Sequence, residues 1–86
     1  MGSLRIDGAL FVIYSNDHPP RHVHGFSGET EAIVDLLRDG SVALADRRDA
    51  VQPANAKRSD VKKILEMAAL HFDALAGLWE KVHGKA

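Results

Sequence analysis

At 86 residues the chain is long enough for one small domain and too short to bury a large core. Apolar residues make up 45% of it, charged residues 27%, and the formal net charge is -1, a composition that excludes both a disordered segment and a strongly basic nucleic-acid binder. There is no cysteine, so disulfides and thiolate metal sites are excluded and any metal must be held by His, Asp, Glu or backbone.

The first half of the chain reads as strands. Leu4 to Ile6 and Ala9 to Tyr14 flank Asp7-Gly8, and Asp-Gly between apolar runs predicts a hairpin because both turn positions tolerate positive φ. The run from Ala9 to Tyr14 is too short to span a bilayer, and no basic-then-apolar leader opens the chain. A cytoplasmic protein with no membrane partner is therefore expected. Ser15-Asn16-Asp17 has turn chemistry. A third strand is expected from His22 to Phe26, a fourth from Glu31 to Leu37, and a fifth from Ser41 to Ala45 after the Asp39-Gly40 turn. Short connections of this kind predict an antiparallel meander.

Residues 46 to 58 show no period and read as a polar loop crossing from sheet to helix. Seven basic and four acidic side chains between residues 38 and 63 make the middle of the chain locally positive. Ser59 is placed to cap a helix, with Asp60 at the positive end of its dipole. Val61, Ile64, Ala68, Phe72, Leu75, Trp79 and Val82 then recur at intervals of three and four, and Gly84 is a suitable terminator, so a single helix over 59–83 is predicted. Its standard rise would make it about 36 Å long. The fold class is thus α+β, a small antiparallel sheet of four to five short strands packed against one long C-terminal helix. Residues 1–86 form a single domain, divided into a β meander (1–45), a polar loop (46–58) and the helix (59–83). Met67, Leu70, Ala74 and Leu78 form a second apolar row beside the main stripe, which predicts a packing surface for a partner protein or a homodimer.

The chemistry concentrates in "SNDHPPRHVHG", residues 15 to 25, which holds three of the five histidines. In an extended segment residues two apart share a side, so His22 and His24 present their imidazoles together while Val23 turns inward. Pro19 and Pro20 predict a stiff, extended approach that presents His18 as a third imidazole. Three readings stay open. As a metal site, His18, His22 and His24, with Asp17 as ligand or orienting acceptor, suit zinc, nickel or another first-row divalent ion with a position left for water. As a catalytic site, His22 and His24 act as general base and acid while Arg21 bears the charge of an anionic transition state, as RNA cleavage requires. Lys57, Arg58, Arg47 and Arg48 would then serve as phosphate contacts if their loop folds back to the histidines. In the third reading the imidazoles only satisfy strand and turn hydrogen bonds. His71, on the flank of the helix stripe, is positioned to join the cluster if it faces the sheet, and His83 lies where a helix end favours a cation.

"FVIYSNDHPPRHVHG" followed by "GETEAIVDL" resembles the bacterial family called domain of unknown function 4160, with its pattern Tyr-Ser-x-Asp-His-Pro-Pro-x-His-x-His and then a Gly and an Ala before a short strand. His71 and Trp79 fall where that family also tends to place His and Trp. The resemblance implies a small prokaryotic protein, the toxin component of a toxin–antitoxin pair whose antitoxin partner comes from the family called domain of unknown function 2442. RNA is the target such a toxin implies. Members commonly carry Pro in place of Arg21 and Lys in place of Ile33, so the resemblance lends Arg21 no role.

Overall fold

Alternating apolar positions in the first half form an antiparallel meander, as the short connections require. The computed structural model describes residues 1–84. Its strands are β1 (Gly2–Ile6), β2 (Ala9–Ile13), β3 (His22–Ser27), β4 (Thr30–Leu36), β5 (Val42–Leu44) and β6 (Val51–Gln52), and its helices are α1 (Arg58–Leu70) and α2 (Phe72–His83). The first five strands follow one another across the sheet in chain order. Asp7 and Gly8 turn the first hairpin with φ of 46° and 82°, the double positive φ that a tight two-residue turn of this hand demands.

The short strand β6 interrupts the segment expected to be loop. It pairs with Glu31 and Ala32 of β4, while β5 pairs with Val34 to Leu36 on the same edge. Between them Ile33 donates its N–H to Ala50 O (2.7 Å), and its carbonyl accepts the N–H of Ala45 (2.9 Å). Residues 46–49 are thereby held as an excursion from the sheet edge whose two ends both meet Ile33.

One face of the sheet carries the core. Ala9, Phe11, Ile13, Val23, Ala32, Val34 and Leu36 pack with Ile64 and Ala68 of α1 and with Leu75 and Trp79 of α2. Gly25 sits where Ile64 presses on the backbone: a Cβ there would lie 2.5 Å from Ile64 Cγ2 and 2.9 Å from the Phe11 ring. Strand alternation sends His24 and its cross-strand neighbours Val12 and Ile33 to the opposite face.

Where the apolar stripe predicts one helix over 59–83, the structure has two. His71 leaves helical geometry at φ -112° and ψ 30°, although its N–H still reaches Met67 O and its carbonyl still accepts the Leu75 N–H. Helix α1 packs on β3, β4 and β5, and α2 on β1, β2 and β3. A straight rod cannot follow both halves of a twisted sheet, so the stripe continues while the axis turns. The helix also starts before Ser59: Lys57 is the N-cap without a side-chain bond, and Asp60 instead accepts the Thr30 hydroxyl at 3.0 Å. The expected terminator holds, with Gly84 at φ 71° closing α2 on Glu80 O.

The second apolar row is unevenly exposed. Met67 and Leu78 pack against the core, which leaves Leu70, 72% exposed, and Ala74 as its outward members. No helix among the described residues is long and apolar enough to cross a membrane.

The contact at Gly25 makes a direct prediction. Gly25→Ala should destabilise the protein by about 1–3 kcal/mol through overpacking. Gly77→Ala, where an added Cβ meets nothing within 4 Å, should stabilise it by up to about 1 kcal/mol. Urea unfolding of the two variants beside the parent chain checks both signs.

Candidate metal centre

The turn after β2 sets the first member of the site. The backbone N–H of Tyr14 donates to Asp17 Oδ2 (3.0 Å), and the Asp17 N–H donates to Tyr14 O (3.0 Å). This reciprocal pair fixes the carboxylate and leaves Oδ1 directed at β3. There it faces His22 Nε2 at 3.5 Å and His24 Nε2 at 3.6 Å. Asp17, His22 and His24 form a group whose potential ligand atoms all lie within 4.8 Å of one another.

The other nitrogen of each ring determines what Nε2 can do. His22 Nδ1 lies 2.9 Å from Pro20 O, and a carbonyl only accepts, so Nδ1 carries the proton. His24 Nδ1 lies 3.1 Å from Glu31 Oε2 and likewise donates. In the neutral rings both Nε2 atoms are then lone pairs, aimed at a carboxylate oxygen with no hydrogen between them. His24 Nε2 is buried without a hydrogen-bond partner. Such a grouping of three acceptors is unfavourable by itself and suits a cation. Acceptors behind Nδ1 that fix the tautomer and ring plane are what metal-bound imidazoles characteristically have.

Aromatic neighbours hold the rings. Tyr14 meets His24 edge-on with centroids 4.9 Å apart, and Trp79 of α2 lies 5.5 Å from the His22 ring. The side chains of His22, His24 and Asp17 are 11, 13 and 14% exposed.

A cavity of about 420 Å³ opens onto this group, lined by Asp17, His18, His22, Ile33, Asp35 and Arg47 among others. Its walls are the 16–20 turn and the 45–47 end of the loop pinned on Ile33, so of the basic side chains Arg47 shares the cavity with His18 and His22. Arg47 holds Asp49 in a two-point pair, Nε to Oδ1 at 2.7 Å and Nη2 to Oδ2 at 2.9 Å. That bond keeps the Asp49 carboxyl below its usual range and raises the Arg47 guanidinium, which the Asp17 and Asp35 charges raise further.

The expected site residues separate into two groups. Asp17, His22 and His24 come together. His18 lies exposed on the cavity wall, outside that group, because Pro19 and Pro20 form a bend rather than an extended approach. Arg21 points elsewhere: its guanidinium donates to Leu36 O (3.1 Å) and Leu37 O (3.4 Å) and sits 5.2 Å from the centre of the Phe72 ring. His71 stays at the junction of the helices, beside a surface groove with Leu70 and Phe72. Lys57 and Arg58 begin α1, and Lys57 lines a separate groove with Gly28 and Asp60.

Glu31 and Asp35 were not singled out by the histidine pattern. The signal for both lay in the turn: Gly28-Glu29 joins Ser27 to Thr30, and that register sets His22 opposite Asp35, His24 opposite Ile33 and Phe26 opposite Glu31. Glu31 is then a diagonal neighbour of His24 on the same face.

A family model described as a domain of unknown function, DUF4160, matches residues 8–80. No curated protein and no solved structure matches the chain.

The tautomers are open to measurement. Long-range proton–nitrogen NMR spectra of the metal-free protein should show His22 and His24 protonated at Nδ1, and Glu31→Ala should abolish that preference at His24 while leaving His22 as it was.

Proposed function

The chain belongs to the DUF4160 family, a membership that carries no activity with it, and from the site itself we propose that the protein binds a first-row divalent metal ion through Asp17, His22 and His24. The observation that carries this reading is the facing of two imidazole Nε2 atoms and one carboxylate oxygen at 3.5 and 3.6 Å. A charge-assisted N–H···O bond would close to about 2.8 Å, so the spacing is wide for a shared proton. Tetrahedral bonds of about 2.0–2.1 Å put neighbouring ligand atoms about 3.4 Å apart, which is close to both separations. The donor set of two imidazoles and a carboxylate suits zinc, nickel or cobalt.

Charge supports the same reading. Of the ionic groups lining the cavity, Asp17, Asp35 and Asp46 outnumber Arg47 by two negative charges, the amount one divalent ion cancels. Three protein ligands leave coordination open for water or for an incoming molecule, the arrangement of reactive rather than purely structural sites. Asp17 and His22 belong to both cluster and cavity, so that position faces the cavity. His18, on its wall, is the side chain at hand for a fourth bond.

A second reading is the RNA-directed toxin. Its support is that Arg47 and His18 share the cavity with His22, which gives acid–base imidazoles a cationic neighbour. In this reading Arg47, although paired with Asp49, takes the charge-bearing role expected of Arg21, because it lines the cavity while Arg21 is turned to the Leu36 and Leu37 carbonyls. An antitoxin partner belongs to this reading.

Titration calorimetry with Zn²⁺ should give one site per chain. His24→Ala should remove that binding, Asp17→Asn should weaken it at least about 10-fold, and His18→Ala should weaken it less. At a free ion concentration 100 times Kd the metal should add about 2.7 kcal/mol to unfolding stability, and chelation should remove it. No uptake of Zn²⁺, Ni²⁺ or Co²⁺ by folded protein sinks the metal reading. For the toxin reading, induced expression should arrest growth with the parent chain and not with the His22→Ala, His24→Ala variant at equal levels of folded protein. Equal growth with both sinks it.

A further inference from the structure

His22 differs from His24 in what stands behind it. The ring of His24 is oriented from within the sheet by Glu31, whereas His22, the first residue of β3, has only the Pro20 carbonyl at Nδ1. Its remaining ring neighbours are His24, 5.5 Å away at 63°, and Trp79, 5.5 Å away at 50°. One hydrogen bond leaves an imidazole free to rock about that bond. A fixed aromatic surface against the ring removes the freedom.

Trp79 is such a surface. It is 9% exposed and packed into the core, and it is itself packed against His83, with ring centroids 3.9 Å apart and planes inclined by 31°. Three rings therefore run in series from the candidate ligand, through the chain's one tryptophan, to the last turn of α2. Helix α2 is a separate helix beyond the break at His71, docked on β1, β2 and β3.

Resting on the metal reading above, we propose that Trp79, backed by His83, is the positioning residue of the metal centre: it holds the His22 ring so that Nε2 stays directed at the ion, and it ties ligand geometry to the docking of α2. Trp79 reaches a candidate ligand through its aromatic ring, a contact that aliphatic packing does not reproduce. By thermodynamic reciprocity, an ion that tightens His22 also tightens α2.

The test compares Co²⁺ affinity, and the visible absorption of the bound ion, in full-length wild type, Trp79→Leu, Trp79→Phe and Leu75→Val. Trp79→Leu should weaken Co²⁺ about 10-fold and alter its absorption. Trp79→Phe, which keeps an aromatic face, should restore most of the affinity and the parental spectrum. Leu75→Val, which loosens the same helix in the core, should change neither. Hydrogen exchange should show Co²⁺ protecting residues 72–83 more than residues 58–70. Equal affinities and spectra for wild type and Trp79→Leu, or losses as large in Leu75→Val, overturn the positioning role while leaving the metal site intact. Failure of the wild-type chain to bind Co²⁺ overturns both.

Discussion

The pairing of β3 with β4 places nearly every group at the candidate centre. A two-residue turn at Gly28 and Glu29, with φ of 58° at the glycine, sets Ser27 opposite Thr30 and so His22 opposite Asp35 and His24 opposite Ile33. A slip of one residue would send the imidazoles to the helix face and Val23 to solvent. Glu31 would lose His24, and the loop anchored at both ends on Ile33 would no longer bring Arg47 to the cavity. Burial of Val23, Ala32 and Val34 against the helices holds this register, since the alternative would bury the polar set instead. Core packing and site geometry therefore depend on the same hairpin.

The helices press on that hairpin from behind. Gly25 lets Ile64 approach the backbone of β3 just past His24, and the break at His71 lets α2 turn toward the strand end where His22 begins. Arg21 strengthens the same corner, bonding the carbonyls that end β4 and lying over Phe72 at the start of α2. Its position makes it a clamp among three elements rather than a partner of the imidazoles. The strand end is thus braced by backbone, guanidinium and indole together.

Electrostatics favours a cation at this braced corner. When neutral, two imidazoles with Nδ1 engaged present only lone pairs to Asp17, and a partly desolvated carboxylate facing lone pairs gains nothing from them. On the proposed reading, a bound cation would turn that mutual repulsion into coordination. The groups that fix the tautomers, a backbone carbonyl for one ring and a carboxylate for the other, are the kind that strengthen imidazole as a ligand.

How much of this could be read from the chain by itself follows the range of the interactions involved. The strand pattern, the Asp7-Gly8 turn, the Gly84 terminator, the α+β class and the pairing of His22 with His24 are consequences of local periodicity and turn chemistry, and they stand in the structure. Asp17 as partner of the histidines was legible because a turn of three residues has few ways to direct a short carboxylate. Local pattern misplaced three things. It made one helix of two, because the stripe records which face is buried and not the twist of the sheet beneath it. It gathered Arg21 with the histidines and put His18 inside the cluster where the structure has it on the cavity wall, because nearness in the chain does not say which way a bend sends a side chain or what else competes for a guanidinium. It left β6 as loop, because two residues carry no period. The sequence alone determined which groups can coordinate or transfer protons, with no thiol among them. Only the tertiary structure decided that Glu31, Arg47 and Trp79 meet them, because those contacts rest on hairpin register, on a loop closed at Ile33 and on the docking of a second helix, each fixed by burial far along the chain.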